Sequence, residues 1–293
     1  MHVYEIAYTS DVLLEDCASS GKGRNLYLIY ESDRVVLRRC WGHWMARNGT
    51  GEANEWAQFY ATNDCRIEYS LGSYDTNSAT DNLIAVAYWI ASWNAAGSTN
   101  NRNVLEGSLF YGYPFHAGVW TGTQGQEQRD NVMRGNVFVG DGSALTEVFQ
   151  RGGQNFTIEG NTFVNNGLGW QTIRTEGEST TIRDNSFVGG TALGLSGSVT
   201  RSGNNYHVDT IGASLAPGET TDVPGYQVQT YGIGAYLMRP AGFDRGAEIL
   251  YDGQGNRLWP WPMEDRISSE MAELFGYDIS PTWDVWSTLE GVY

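Results

Sequence analysis

From residue 133 onward the chain repeats one short cadence of apolar and polar positions. Met133-Arg134-Gly135-Asn136-Val137-Phe138, Ile158-Glu159-Gly160-Asn161-Thr162-Phe163 and Ile182-Arg183-Asp184-Asn185-Ser186-Phe187 each run aliphatic, charged, turn-forming, Asn, small strand former, Phe. Fainter copies lie upstream at Leu14-Glu15-Asp16-Cys17, Leu37-Arg38-Arg39-Cys40, Ile67-Glu68-Tyr69-Ser70 and Leu105-Glu106-Gly107-Ser108-Leu109-Phe110. A degenerate copy, Gly203-Asn204-Asn205-Tyr206, follows. Period-two alternation interrupted once predicts a short strand, a corner and a second strand, with the aliphatic residue and the Phe facing a core and the charge facing solvent.

The corner positions 17, 40, 70, 108, 136, 161, 185 and 204 are separated by 23, 30, 38, 28, 25, 24 and 19 residues. Such unevenness excludes a rigid repeat code. It suits a solenoid whose strands keep their length while the turns between them swell, with the longest insertion between Ser70 and Ser108. The expected fold is therefore all-β, a right-handed parallel β-helix of about eight coils. Corner residues should stack about 4.8 Å apart, the inter-strand spacing. Asn136, Asn161, Asn185 and Asn204 are then expected to form a hydrogen-bonded ladder, asparagine also tolerating the left-handed backbone that a sharp corner needs. The outward neighbours Glu15, Arg38, Glu68, Glu106, Arg134, Glu159 and Arg183 should form a surface ion ladder, each exposed pair contributing about 0.5 kcal/mol. These residues are read as structural rather than catalytic.

The Gly135-to-Phe138, Gly160-to-Phe163 and Asp184-to-Phe187 motifs at this spacing resemble the secreted right-handed β-helix repeat proteins of the pectate-lyase-like superfold, over roughly residues 1–208. The resemblance implies an extracellular or cell-surface protein. Members include lyases, hydrolases and epimerases acting on polysaccharides, and also adhesins and phage tailspikes, so fold alone does not choose among them.

Beyond Tyr206 the cadence stops. Residues 209–257 are expected to form an irregular extension, and 258–293 a Trp- and Pro-rich tail. In that tail Met263, Ile267, Met271 and Leu274 share one helical face ended by Gly276. Leu258-Trp259-Pro260-Trp261-Pro262 resembles the tails of some secreted β-helix repeat proteins. An open solenoid end exposes core and unpaired backbone, so the C-terminal part is expected to cap the helix or lie along it. The amino end shows no comparable cap, which predicts another coil, an N-terminal domain or a stacked subunit upon it.

Charge narrows the partners. The 293-residue chain carries a net charge of -16 and a pI of about 4.5, which excludes nucleic acid, and no apolar run is long enough to insert in a membrane. Cofactors are unknown: Ca²⁺ is possible as a bridge to a polyanion, although no motif for it is present, and no metal-ligand spacing is found. Cys17, Cys40 and Cys65 are expected to be small core residues.

Candidate chemistry comes from the strand preceding each motif. Tyr8, Tyr30, Tyr60, Trp89, Trp120, Phe149 and then Arg174 are aligned there, next to an opposite-parity set of Ile29, Phe59, Val119, Val148 and Ile173. If the aliphatic set faces inward, the aromatic set forms an external stripe onto which sugar rings can stack. Tyr60, Trp89, Trp120, Phe149 and Arg151 are the expected polysaccharide contacts. His116, Asp141, Glu147 and Arg174 are the candidate catalytic residues. His116 or Arg174 would serve a lyase by removing an acidified proton, and Asp141 with Glu147 would serve a hydrolase as an acid/base pair. The competing expectation is a non-catalytic structural or adhesive segment of a larger or end-to-end stacked surface assembly.

Overall fold

The computed structural model describes residues 2–22, 25–46, 54–74, 84–90, 98–111, 115–120, 127–139, 147–151, 153–164, 171–176, 179–223 and 243–247. Among them there are strands and turns but no helix. The first strands are His2–Ala7, Ser10–Glu15 and Ala18–Lys22 (β1 to β3), then Asn25–Tyr30, Asp33–Arg38 and Trp41–Ala46 (β4 to β6), then Asn54–Tyr60, Arg66–Glu68 and Leu71–Tyr74 (β7 to β9). Two sets of four follow: Ile84–Ile90, Thr99–Asn101, Val104–Glu106 and Leu109–Tyr111 (β10 to β13), and Phe115–Trp120, Glu127–Arg129, Val132–Arg134 and Val137–Val139 (β14 to β17). The last are Glu147–Arg151, Phe156–Glu159 and Thr162–Val164 (β18 to β20), Gln171–Thr175, Thr180–Arg183 and Ser186–Val188 (β21 to β23), and Thr191–Leu195, Val199–Ser202 and Asn205–His207 (β24 to β26).

These strands are dealt in turn into three parallel sheets of eight. The first sheet runs β1-β4-β7-β10-β14-β18-β21-β24, the second β2-β5-β8-β12-β16-β19-β22-β25, and the third β3-β6-β9-β13-β17-β20-β23-β26; β11 and β15 form a small accessory pair. One strand from each sheet makes a rung. Alternation within the cadence explains the strand faces: Ile158 is buried, Glu159 is half-exposed, and Asn161 and Phe163 are buried.

The corner between the second and third sheets is a hydrogen-bonded ladder. Asn161 Oδ1 accepts from the backbone N–H and the Nδ2 of Asn136, both at 2.9 Å, and Asn185 and Asn204 repeat the arrangement at 2.9–3.0 Å. Each Nδ2 also donates to a carbonyl of the strand before, as Asn161 does to Met133. Upstream, hydroxyls take over: Ser108 N–H donates to Asn136 Oδ1, Ser70 N–H to Ser108 Oγ and Cys40 N–H to Ser70 Oγ. The left-handed residue of this corner is not the asparagine but the one before it: Asp16, Arg39, Tyr69, Gly107, Gly135, Gly160, Asp184 and Gly203 all have φ between 49° and 65°. This corrects the expectation that asparagine supplies the left-handed backbone. Glycine enters at four of these positions because it adopts that conformation without a Cβ penalty.

Aromatic rings form the spine of the core, and the spine changes sheets midway. Phe110, Phe138, Phe163, Phe187 and Tyr206 stack with centroids 5.7, 5.3, 5.3 and 5.1 Å apart. Before Phe110 the spine continues through Trp56, Tyr27 and Tyr4, on strands of the first sheet. Trp56 therefore fills the space that a third-sheet aromatic occupies elsewhere. That explains the glycines in register with Phe110: a Cβ on Gly42 would lie 2.3 Å from Trp56 Nε1, and one on Gly72 2.5 Å from Phe110.

The two ends differ. After β26, residues 208–223 fold over the last rung, with Leu193 N–H donating to Ile211 O and Tyr206 N–H to Thr220 O. The Glu219 carboxylate is wholly buried there. Its Oε1 accepts from Asn204 Nδ2 and from Tyr206 Oη, both at 2.8 Å, and its Oε2 accepts from Ala216 N–H at 2.7 Å and faces Arg201 Nη1 at 3.2 Å. One side chain thus ends both the asparagine ladder and the aromatic spine. Residues 243–247 return beside the third sheet, where Ala247 N–H donates to Thr162 Oγ1. At the other end, β1, β2 and β3 are the outermost strands of their sheets, each paired on one side only among the described residues. The tail at 258–293, with its helical pattern and Trp259 and Trp261, lies outside the described residues.

Candidate functional site

Three tyrosines of the expected aromatic row meet at the ends of β1, β4 and β7 of the first sheet. Tyr30 and Tyr60 are register partners with stacked rings 4.8 Å apart, and Tyr8 meets Tyr30 edge-on at 5.3 Å. Tyr8 is 73 % exposed, while Tyr30 and Tyr60 are half-buried. Ile29 and Phe59, one position earlier, are fully buried, and Leu28 and Gln58, two positions earlier, are buried too, so among the described side chains of these strands exposure is confined to the ends at Tyr30 and Tyr60. The acidic neighbour Glu31 hydrogen-bonds the Tyr30 phenol and, with burial and Tyr8, holds it protonated well above the usual tyrosine range. Glu31 was missed in the sequence; its signal is an acid placed directly after the aromatic, at a left-handed corner.

Farther along the sheet, register redistributes the candidates. Tyr60 pairs with Ile90, Ile90 with Trp120, and Trp120 with Arg151, so Trp120 and Arg151 continue the tyrosine row. Trp89 instead pairs with Phe59 and Val119, in the row that is buried at Phe59. Phe149 pairs with Gly118 on one side and Arg174 on the other, two positions before Arg151. The alignment of Trp89, Phe149 and Arg174 with Tyr60 is thus corrected, as is that of Tyr8, since Ala7 pairs with Tyr30: strand pairing is counted by hydrogen bonds, and the irregularity between Phe115 and Ala117 shifts everything beyond it.

His116 falls within that irregularity, and the adjoining Phe115 and Ala117 pair with Glu147 and Val148. The backbone positions of His116, Glu147 and Arg174 therefore occupy the adjacent strands β14, β18 and β21. Only backbone is described for His116, Glu147, Trp89, Trp120, Phe149 and Arg151, and Asp141 lies outside the described residues. The Arg174 guanidinium bonds Glu176 at 2.7 Å, a half-exposed pair on one strand end.

The remaining charged groups form ladders. Arg38 bonds Glu15 and Glu68, Arg134 bonds Glu106, and Arg183 bonds Glu159. The single like-charged step, Glu68 to Glu106, is bridged by Arg66, which contacts both. At Glu106, burial works to raise the pKa, but the hydrogen bonds and charges of Arg134 and Arg66 outweigh it and the net shift is downward. A second column pairs Asp11 with Arg34 and Asp64 with Arg102, both bidentate at 2.6–2.8 Å.

The three cysteines are free thiols, Cys40 and Cys65 fully buried and Cys17 half-buried. Burial pushes both buried thiols up to about 12, so they are not nucleophiles near neutral pH. Cys65 instead opens a second corner ladder: Val35 N–H donates to its Sγ, its own N–H to Asn103 Oδ1, and Asn103 N–H to Asn131 Oδ1. This ladder was missed, although its steps of 38 and 28 residues repeat those of Ser70, Ser108 and Asn136. Among the described residues, no three His, Cys, Asp or Glu side chains are grouped to hold a metal ion. Compared with protein-family models, with curated proteins and with solved structures, the chain matches none.

Proposed function

We propose that this chain is an extracellular right-handed parallel β-helix, its eight rungs being the coils, that binds an extended polysaccharide along the outer face of the first sheet. The observation that carries the reading is the tyrosine group at the ends of β1, β4 and β7, in which Tyr30 and Tyr60 are stacked register partners and the exposed Tyr8, from the corner after β1, meets Tyr30 edge-on. Tyr30 and Tyr60 use their ring faces on one another, so they offer a ligand ring edges and hydroxyls, while the more exposed Tyr8 can stack. Trp120 and Arg151 extend the row by register. A lyase or hydrolase reaction on the bound chain would draw on His116, Glu147 and Arg174, which share three adjacent strands.

Affinity electrophoresis against plant, algal and microbial polysaccharides, with and without Ca²⁺, tests binding. Tyr60→Ala should weaken it about tenfold, equivalent to about 1.4 kcal/mol. New reducing ends or unsaturated-uronate absorbance would show turnover. Absence of binding across the panel removes the reading. A second reading, a non-catalytic element of a larger surface assembly, is favoured by the ladders that pair so many charged groups.

A further inference from the structure

The corner ladder changes chemistry at its head. From Asn204 back to Ser70 each member is an amide or a hydroxyl, but the next two, Cys40 and Cys17, are both thiols. Sulfur donates and accepts hydrogen bonds weakly, so the stacking that ties the other rungs together contributes little between these two while they are reduced.

Register sets the two thiols against each other. Glu15 pairs with Arg38 before the corner, Ala18 pairs with Trp41 after it, and Asp16 N–H donates to Arg38 O within it. Cys17 and Cys40 therefore hold the same position on adjacent rungs. Neighbouring strands lie about 4.8 Å apart, inside the roughly 4.4–6.8 Å between Cα atoms that a disulfide spans. The sulfurs are turned along the axis as well. Cys40 Sγ reaches Leu14 O of the first rung at 3.5 Å, accepts the Cys17 N–H, and shares a hydrogen bond with the Cys17 thiol. From the core side Tyr27 Oη donates to Cys17 O at 3.2 Å and Tyr4 Oη to Ala18 O at 3.3 Å, which pins the corner backbone. Cys65 belongs to the other corner, between Val35 and Asn103, with its Sγ on Ser32 O and Asn63 O.

We infer that Cys17 and Cys40 are a paired modification site, which closes to a disulfide clasping the first rung to the second when a low-molecular-weight disulfide such as oxidised glutathione is the oxidant. The Cys17 thiolate attacks one glutathione sulfur, forming a mixed disulfide and expelling a glutathione thiolate. The Cys40 thiolate then attacks the Cys17 sulfur, forming the Cys17–Cys40 bond and expelling the second glutathione. Two protein thiols are oxidised, one glutathione disulfide is reduced, and the two thiol protons pass to the released glutathione. Burial is the largest cause holding both thiols protonated above their ordinary range, so the exchange is slow at neutral pH and quickens as thiolate forms. Polysaccharide binding plays no part in the pairing.

The test equilibrates the full chain at about pH 9 with glutathione mixtures of rising oxidised share, quenches with acid and counts thiols in denaturant. The count should fall from three to one, with a mass loss of about 2 Da and a proteolytic fragment joining Cys17 to Cys40. Cys65→Ser should leave this product unchanged. Cys17→Ser, shown to be folded by circular dichroism, should abolish it. In the linked form the amides of Tyr8 and Asp16, which bond Tyr30 and Arg38 of the second rung, should exchange about tenfold more slowly, and dithiothreitol should restore the original rate. Three thiols remaining, glutathione retained on Cys17 without the second step, or a bond made by Cys65 overturns the proposal. Linkage without slower exchange overturns the clasp.

Discussion

The two ends of the same core are finished in opposite ways. At the Glu219 end the last ladder amide, the last spine hydroxyl and a backbone N–H converge on one buried carboxylate, and Arg201 balances its charge. At the β1–β3 end the spine reaches a half-buried Tyr4, the ladder corner is the half-buried thiol of Cys17, and Asp11 pairs with Arg34 at the exposed surface. Stacked units have no intrinsic end, because every rung satisfies itself on its neighbours. At Glu219 the chain writes an end explicitly.

Mutations can break this contrast, and the largest effect is expected at the closed end. Glu219→Ala strands Arg201 and removes the acceptor of two buried donors, and should cost about 3–5 kcal/mol in urea unfolding. Glu219→Gln keeps some acceptance and should cost less. Next comes the ladder interior. Asn161→Ala removes the oxygen that Asn136 uses twice and a donor to Met133 and Asn185, and should cost about 2–3 kcal/mol. The equivalent change at the open end, Cys17→Ala, should stay within about 0.5 kcal/mol. If both cost the same, the ends are not energetically distinct.

Gly212→Ala probes the closing segment itself. Gly212 has φ +83°, and a Cβ there would lie 1.9 Å from the Leu193 carbonyl oxygen. A loss of about 1–3 kcal/mol is expected, with faster hydrogen exchange at Ala192 and Leu193, whose amides bond Thr210 and Ile211. The smallest effect is in acid. Glu106 has a folded pKa below its ordinary value of 4.5, so its contribution is present above that pH and is lost as pH falls through the depressed value. Glu106→Gln should flatten stability against pH below about 4.5. Asp11, also depressed by its Arg34 hydrogen bond but fully solvated, should change that curve less when replaced by Asn.

Much of this was visible in the sequence wherever one short pattern recurred. The ladder residues from Cys40 to Asn204, the outward ion row and the Phe stack each rest on a local rule of alternation plus a corner, applied again one rung later. The candidate site was less legible. Tyr30 and Tyr60 could be aligned because their strands are close in length, but Trp89 and Phe149 fell out of the row across the longer insertions and the Phe115–Ala117 irregularity. A one-residue error in pairing reverses every side chain on a strand, and nothing local to Trp89 fixes that count.

The sequence by itself determined the unit: strand, corner with its ladder residue, strand, with the sign of each outward charge. Tertiary structure alone decided how the units are joined and ended. Arg66 bridges two acids from neighbouring rungs, Trp56 fills room left by Gly42 and Gly72, and Glu219 ends a ladder to which its own neighbours do not belong. The reason is physical. Repeated contacts are written at fixed positions in every copy, whereas each of these three joins residues with no repeat relation, and only the folded chain brings them within reach.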